Sequence, residues 1–142
     1  MSHFSIIGIR RLAALLGVFF ASVLLAACSS QTPESVTESY IKAVANNRID
    51  EAIGYFSLDD VKENDLTAAK GKLQMIAGEQ YSKIQKSGGL DSVSTSLTDN
   101  KDNISSVKVV MKFKNGKTRE ETFRLVQESG KWKISLQGRS PF

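Results

Sequence analysis

The sequence predicts an α+β fold, with three N-terminal helices packed on a four-stranded antiparallel sheet. Three observations carry that prediction. Apolar residues recur at helical spacing from Val36 to Ile84, and after Gly88-Gly89 the spacing turns to alternation. Two turn signals, Asn115-Gly116 and Ser129-Gly130, then divide the alternating region into strands joined by tight hairpins. One apolar sheet face, with helices placed before it in the chain to cover it, makes a roll.

Ahead of the first helix, Arg10 and Arg11 precede a charge-free run from Leu12 to Ala27. The run is shorter than the roughly 20 residues of a comfortable membrane span and ends in small residues, as an export signal does. It closes on Leu25-Ala26-Ala27-Cys28, which resembles the bacterial lipobox. That resemblance implies cleavage between Ala27 and Cys28 and acylation of the Cys28 thiol and of the new amino terminus. Residues 1–27 are then a lipoprotein signal peptide, and residues 28–32 are a short lipidated tether. Four extended residues reach at most about 14 Å, so the domain is expected against the lipid head groups. Ser29, in place of aspartate after the cysteine, implies by the same resemblance an outer-membrane lipoprotein facing the periplasm. The bland alternative is an uncleaved anchor helix that happens to end in a cysteine.

Without its signal the chain keeps about 115 residues, enough for one core and too few for two domains. The folded domain is expected over residues 33–138, with residues 139–142 as a tail. Charge is unevenly placed: residues 28–100 hold seven bases and eleven acids, whereas residues 101–142 hold ten bases and four acids. Cys28 is the only cysteine, so no disulfide is expected and stability must come from the core.

The first helix is expected from Pro33 to about Ala45. Thr32 is its cap, Val36, Tyr40, Ala43 and Val44 form its apolar face, and Asn46-Asn47 its stop. Asp50 is expected to cap a second, short helix through Phe56 that buries Ala52, Ile53 and Phe56. Asn64 or Asp65 should cap the third and longest. Its apolar side is Leu66, Ala69, Leu73, Ile76, Ala77, Tyr81 and Ile84, and Gly88-Gly89 ends it. Gly71 and Gly78 inside it are expected to mark close packing against the sheet.

In the sheet, Val93, Thr95 and Leu97 mark the inward side of a first strand. Val107, Val109, Met111 and Phe113 mark that of a second, with Ser106, Lys108, Lys112 and Lys114 pointing the other way. A two-residue turn at Asn115-Gly116 would set Lys108 opposite Phe123 and mix the faces. A three-residue loop, Lys114-Asn115-Gly116 with Gly116 at positive φ, pairs Val107 with Phe123 and keeps them consistent. A two-residue turn at Ser129-Gly130 sets Leu125 beside Ile134 and Phe123 beside Leu136.

Pro33 opening the first helix, the joint Asn46-Asn47-Arg48-Ile49-Asp50-Glu51-Ala52, and Gly130-Lys131-Trp132-Lys133-Ile134 in the last strand give an order similar to the nuclear-transport-factor-2-like, or cystatin-like, cone. More narrowly, the chain resembles small bacterial lipoproteins of this fold grouped as a domain of unknown function. The resemblance implies a curved sheet wrapped around the long helix, often with a pocket at the open end and a tendency to dimerise. It implies no activity.

The inventory for catalysis is poor. His3 is the only histidine and lies in the signal, and no thiol survives lipidation, so no catalytic residue, cofactor or metal site is assigned. An isomerase-like enzyme on this cone would need a carboxylate base and an acidic hydrogen-bond donor inside it. Tyr40, Tyr55 or Tyr81 supplies a donor, and Glu121 is the one acid in phase with Phe123. Tyr40, Tyr81, Met111, Phe123 and Trp132 are candidates to line a pocket for a small hydrophobic ligand, against the alternative that they are core. Lys108, Lys112, Lys114, Lys117, Lys131 and Lys133 are candidates for a basic surface on the outer sheet face, against the alternative of a solvated face that deters aggregation. Nucleic acid is not expected, since these lysines are not interleaved with exposed aromatics.

The expected protein is therefore a non-enzymatic, lipid-anchored envelope protein whose cone domain binds a protein partner or a small ligand. An accessory or immunity lipoprotein acting on an envelope protein or incoming toxin is the first alternative. A ketosteroid-isomerase-like enzyme is the second.

Overall fold

A computed structural model of the chain describes residues 31–137. The expected signal peptide, the cleavage site at Ala27 and Cys28, most of the tether and the tail at 139–142 lie outside the described residues.

Helix α1 (Pro33–Ala45) begins where its cap chemistry places it. The Thr32 hydroxyl accepts from the Ser35 amide at 3.1 Å, and Ser35 Oγ accepts from the Thr32 amide at 3.0 Å, so two otherwise orphaned donors are satisfied reciprocally. It ends on Asn47 at φ 57. There the Asn47 amide donates to Val44 at 3.0 Å and the Arg48 amide to Ala43 at 2.8 Å, the paired closure that a left-handed residue after a helix permits. Val36, Thr37, Tyr40, Ile41, Ala43 and Val44 are all buried, because α1 packs on the sheet as well as on both other helices.

That closure uses Asn47 and Arg48, so α2 (Ile49–Ile53) starts directly from it. Asp50, the expected cap, lies within the first turn and accepts instead from Gln74 Nε2 at 3.1 Å. The helix also stops short of Phe56. The next residues are drawn to the sheet: Ile134 donates to Tyr55 O and Ser57 donates to Ile134 O, each at 2.8 Å, beside a parallel bridge between Phe56 and Ile134. Ala52 and Phe56 are buried as expected, whereas Ile53 is half-buried.

A single 3-10 turn (Glu63–Asp65) leads into α3 (Leu66–Lys86), whose cap position Asp65 makes no side-chain capping bond. The buried side is Leu73, Ala77, Gln80 and Ile84; Leu66, Ala69, Ile76 and Tyr81 are half-buried. Gly88 (φ 84) and Gly89 end the helix with the same closure as α1, through amide bonds to Gln85 and Ile84. The longest helix is not the one laid on the sheet. It packs mainly on α1 and α2, and α1 takes the central position. A Cβ built at Gly71 or Gly78 would meet nothing within 4 Å, so close packing does not account for either glycine, and nothing in the structure explains them.

The sheet is a meander, β1 (Leu90–Lys101), β2 (Ile104–Phe113), β3 (Thr118–Glu128) and β4 (Lys131–Ile134), in spatial order β1-β2-β3-β4. Val107 stands opposite Phe123, the register of the three-residue loop. Phe113 donates to Lys117 O at 2.9 Å and Gly116 has φ 82. Ser129 (φ 48) and Gly130 (φ 77) make the two-residue turn that pairs Leu125 with Ile134. Two expected partners fall away at the margins. The β4 ladder ends at Ile134, so Leu136 does not pair with Phe123 and is 40% exposed. On β1, the edge strand, Val93 and Thr95 are only half-buried and Leu97 is 41% exposed.

One core joins these layers. At its centre the fully buried Tyr40 ring meets Phe56 at 5.2 Å and Phe123 at 5.7 Å, both edge-on. Such pairs add about 0.5–1.5 kcal/mol each beyond the area they bury.

Candidate functional site

The inward side of β3 changes character along its length. Phe123 and Leu125 are core, but Arg119 and Glu121, in the same phase, carry opposite charges and pair at 3.0 Å. Opposite them on β2 stand Met111 and Val109, which are almost fully buried. A cavity of about 210 Å³ lies there, among α1, the C-terminal half of α3 and the β2–β3 hairpin.

Its apolar wall is Ile41 and Val44 of α1, Ile84 of α3, and Met111 and Phe113 of β2. Its polar groups are Gln80 and Lys83 of α3, Ser87 at the cap of that helix, and Lys117, Thr118, Arg119 and Glu121 of the hairpin and β3. Gln80 is held in place by the Tyr40 hydroxyl, which donates to its Oε1 at 2.6 Å. Lys83 also meets the exposed carboxylate of Glu79 at 3.5 Å. A second depression of about 420 Å³ lies among Asp50, Ile53, Gly54, Phe56, Leu58, Asp59, Lys70, Glu128 and Lys133. It opens more widely to solvent, mixes both signs of charge, and is crossed by Lys133, whose Nζ donates to Gly54 O at 2.7 Å. The smaller, better enclosed cavity is the candidate site.

Of the five aromatic and methionine candidates, only Met111 lines it. Tyr40 and Phe123 are core, and Tyr81 and Trp132 are partly buried against the core. The six lysines do not form one surface. Lys108 pairs with Glu120 at 2.8 Å on the outer face, and Lys112 is exposed on that same face. Lys114 belongs to the hairpin loop, where its amide donates to Gly89 O. Lys117 lines the cavity. Lys131 lies at the β3–β4 turn and Lys133 reaches across the second depression. Gln80, Lys83 and Arg119 were not candidates from the sequence. Arg119 was open to discovery by extending the phase of Phe123 through Glu121; the meeting of Gln80 with Tyr40 has no local signal. Among the described residues no group of three histidine, cysteine or acidic side chains is placed to hold a metal, and no helix is long and apolar enough to cross a membrane.

Comparison with known proteins agrees with this architecture. A crystal structure of a Campylobacter jejuni protein, described as a candidate NTF2-like transpeptidase, is similar with a TM-score of 0.69 over 75% of this chain and 99% of that one. At 21% sequence identity the likeness shows the fold, which is NTF2-like. No curated protein sequence matches the chain. Residues 26–135 match the domain of unknown function DUF4878, and with most of its length so covered the chain belongs to that family.

Proposed function

We propose that this protein is a lipid-anchored cell-envelope protein whose NTF2-like domain binds a small molecule in the cavity between α1, α3 and the β2–β3 hairpin. The observation that carries the reading is the Arg119–Glu121 pair on the inward side of β3, beside an otherwise apolar wall. Apolar side chains of similar volume would often stabilise a small core at least as well as a partly buried ion pair does. Charges at that position fit a site that recognises a polar group. The anchor is Cys28, acylated after cleavage behind Ala27, and the domain faces the periplasm from the outer membrane. The family match reaches back to residue 26 and so includes that cysteine, which supports reading anchor and domain as one unit.

Binding is placed ahead of catalysis because none of the three tyrosines lines the cavity and two of the groups an isomerase-like site would use are engaged. The Tyr40 hydroxyl donates to Gln80, and the Glu121 carboxylate is held by Arg119. The transpeptidase description of the similar structure is not carried over, since a fold alone does not specify chemistry. Mass spectrometry of the lipidated protein purified gently from its own membranes, intact and then denatured, tests the reading. A small molecule released in stoichiometric amount is the expected result. A stoichiometric protein partner instead would favour the accessory or immunity role and overturn the pocket as the working part.

A further inference from the structure

The cavity is graded from inside to outside. Ile41, Val44, Ile84, Met111 and Phe113 are each at most 6% exposed. The cations are at the other extreme: the side chains of Lys83 and Arg119 are 42% and 32% exposed, and Lys117 is exposed on the hairpin. Three cationic side chains thus line the opening against one lining carboxylate, Glu121, which already meets Arg119 at 3.0 Å. Outside the lining, Lys114, in the hairpin loop and lying against Gly89, adds a fourth positive charge nearby, and Glu79, which meets Lys83 at 3.5 Å, adds a second negative one, so the opening keeps a positive excess.

Size narrows the choice further. The cavity measures about 210 Å³. That is below the range of about 300–1,000 Å³ typical of drug-sized ligands and far too little for a two-chain lipid. Groups buried at the apolar end demand an apolar body, and the cations at the opening favour an anionic head bound by charge-assisted hydrogen bonds.

We propose that the cavity selects a small organic monocarboxylate with an aryl or short acyl body, which presupposes the small-molecule reading above and adds the ligand's charge and size. The body lies against Met111 and Ile84, and the carboxylate meets Lys117, Lys83 and the guanidinium of Arg119.

The test uses the full lipidated chain in lipid nanodiscs, with methionine methyl groups carbon-13 labelled and titrated by NMR. Met111 reports the cavity, and Met75, 76% exposed on α3, is the internal reference. The probes are phenylacetate, 2-phenylethanol and 2-phenylethylamine, which share a body and differ in head charge. Phenylacetate should shift the Met111 methyl saturably and bind about tenfold tighter than the alcohol, with the amine weakest, and Met75 should stay still. The variant Lys83→Gln/Lys117→Gln changes two side chains with substantial exposure and keeps Arg119, so it should cut that preference by about threefold or more while the alcohol still binds; an unchanged preference would overturn the assigned role of the two lysines. If the alcohol or the amine bound as well as phenylacetate, the anionic class would fall and the pocket reading would stand. If none of the three moved Met111 in a protein whose spectrum shows it folded, both would fall.

Discussion

Removing the hydroxyl of Tyr40 tests how the central helix is tied to the long one. The side chain is fully buried, and its partner Gln80 is only 6% exposed, so the 2.6 Å bond between them has little access to water. Tyr40→Phe keeps the ring and both of its edge-on contacts but leaves the Gln80 carbonyl oxygen without that donor. An orphaned buried acceptor costs about 1–3 kcal/mol, and in a domain of this size each kcal/mol lowers Tm by roughly 4–8 °C. Replacing both partners by apolar groups of similar shape, Tyr40→Phe/Gln80→Met, removes the orphan together with its donor. The double variant should therefore lose less than the two single losses combined, and a double-mutant cycle in urea should show a coupling of about 1 kcal/mol or more. Unchanged stability in Tyr40→Phe, or strict additivity in the cycle, would refute the claim that this bond is formed in a dry interior.

Other perturbations separate local from tertiary causes. Gly71→Ala and Gly88→Ala should have opposite signs: the first removes about 1 kcal/mol of helix penalty where no neighbour lies within 4 Å, whereas the second forces a Cβ onto φ 84 and should destabilise by about 1–2 kcal/mol, both readable from thermal melts. Thr32→Ala deletes the reciprocal cap of α1 and should lower stability by about 1 kcal/mol in the same assay. Phe123→Ala, at 2% exposure and in contact with Tyr40, should lose about 3–5 kcal/mol; a loss below 1 kcal/mol would mean the Val107–Phe123 register is not the one adopted. Cys28→Ala should release the protein from the membrane fraction on cell fractionation, and a wild type already free in the periplasm would overturn the proposed anchor.

Features set by chemical neighbours were open to reading in the chain. Thr32 followed by Pro33, and Asn46-Asn47 and Gly88-Gly89, mark helix ends because capping oxygens and positive φ act within a few residues. The hairpin register was legible for the same reason, since only a three-residue loop keeps Met111 and Phe123 on one face. Periodicity states which side of an element is apolar, but it does not state what will cover that side. The long-range meeting of Tyr55 and Ser57 with Ile134 ends α2 before Phe56, and the short β4 leaves Leu136 outside. The site belongs wholly to this second class. Met111 and Glu121 were visible as inward residues, yet a cavity exists only where α3 brings Gln80, Lys83 and Ile84 against the hairpin. The chain by itself determined the elements, their caps and their faces, because those follow from interactions a few residues or one turn apart. Tertiary structure alone decided that α1 lies at the centre and that Gln80 and Lys83 of α3 come against the β2–β3 hairpin, because both depend on which distant surfaces exclude water together.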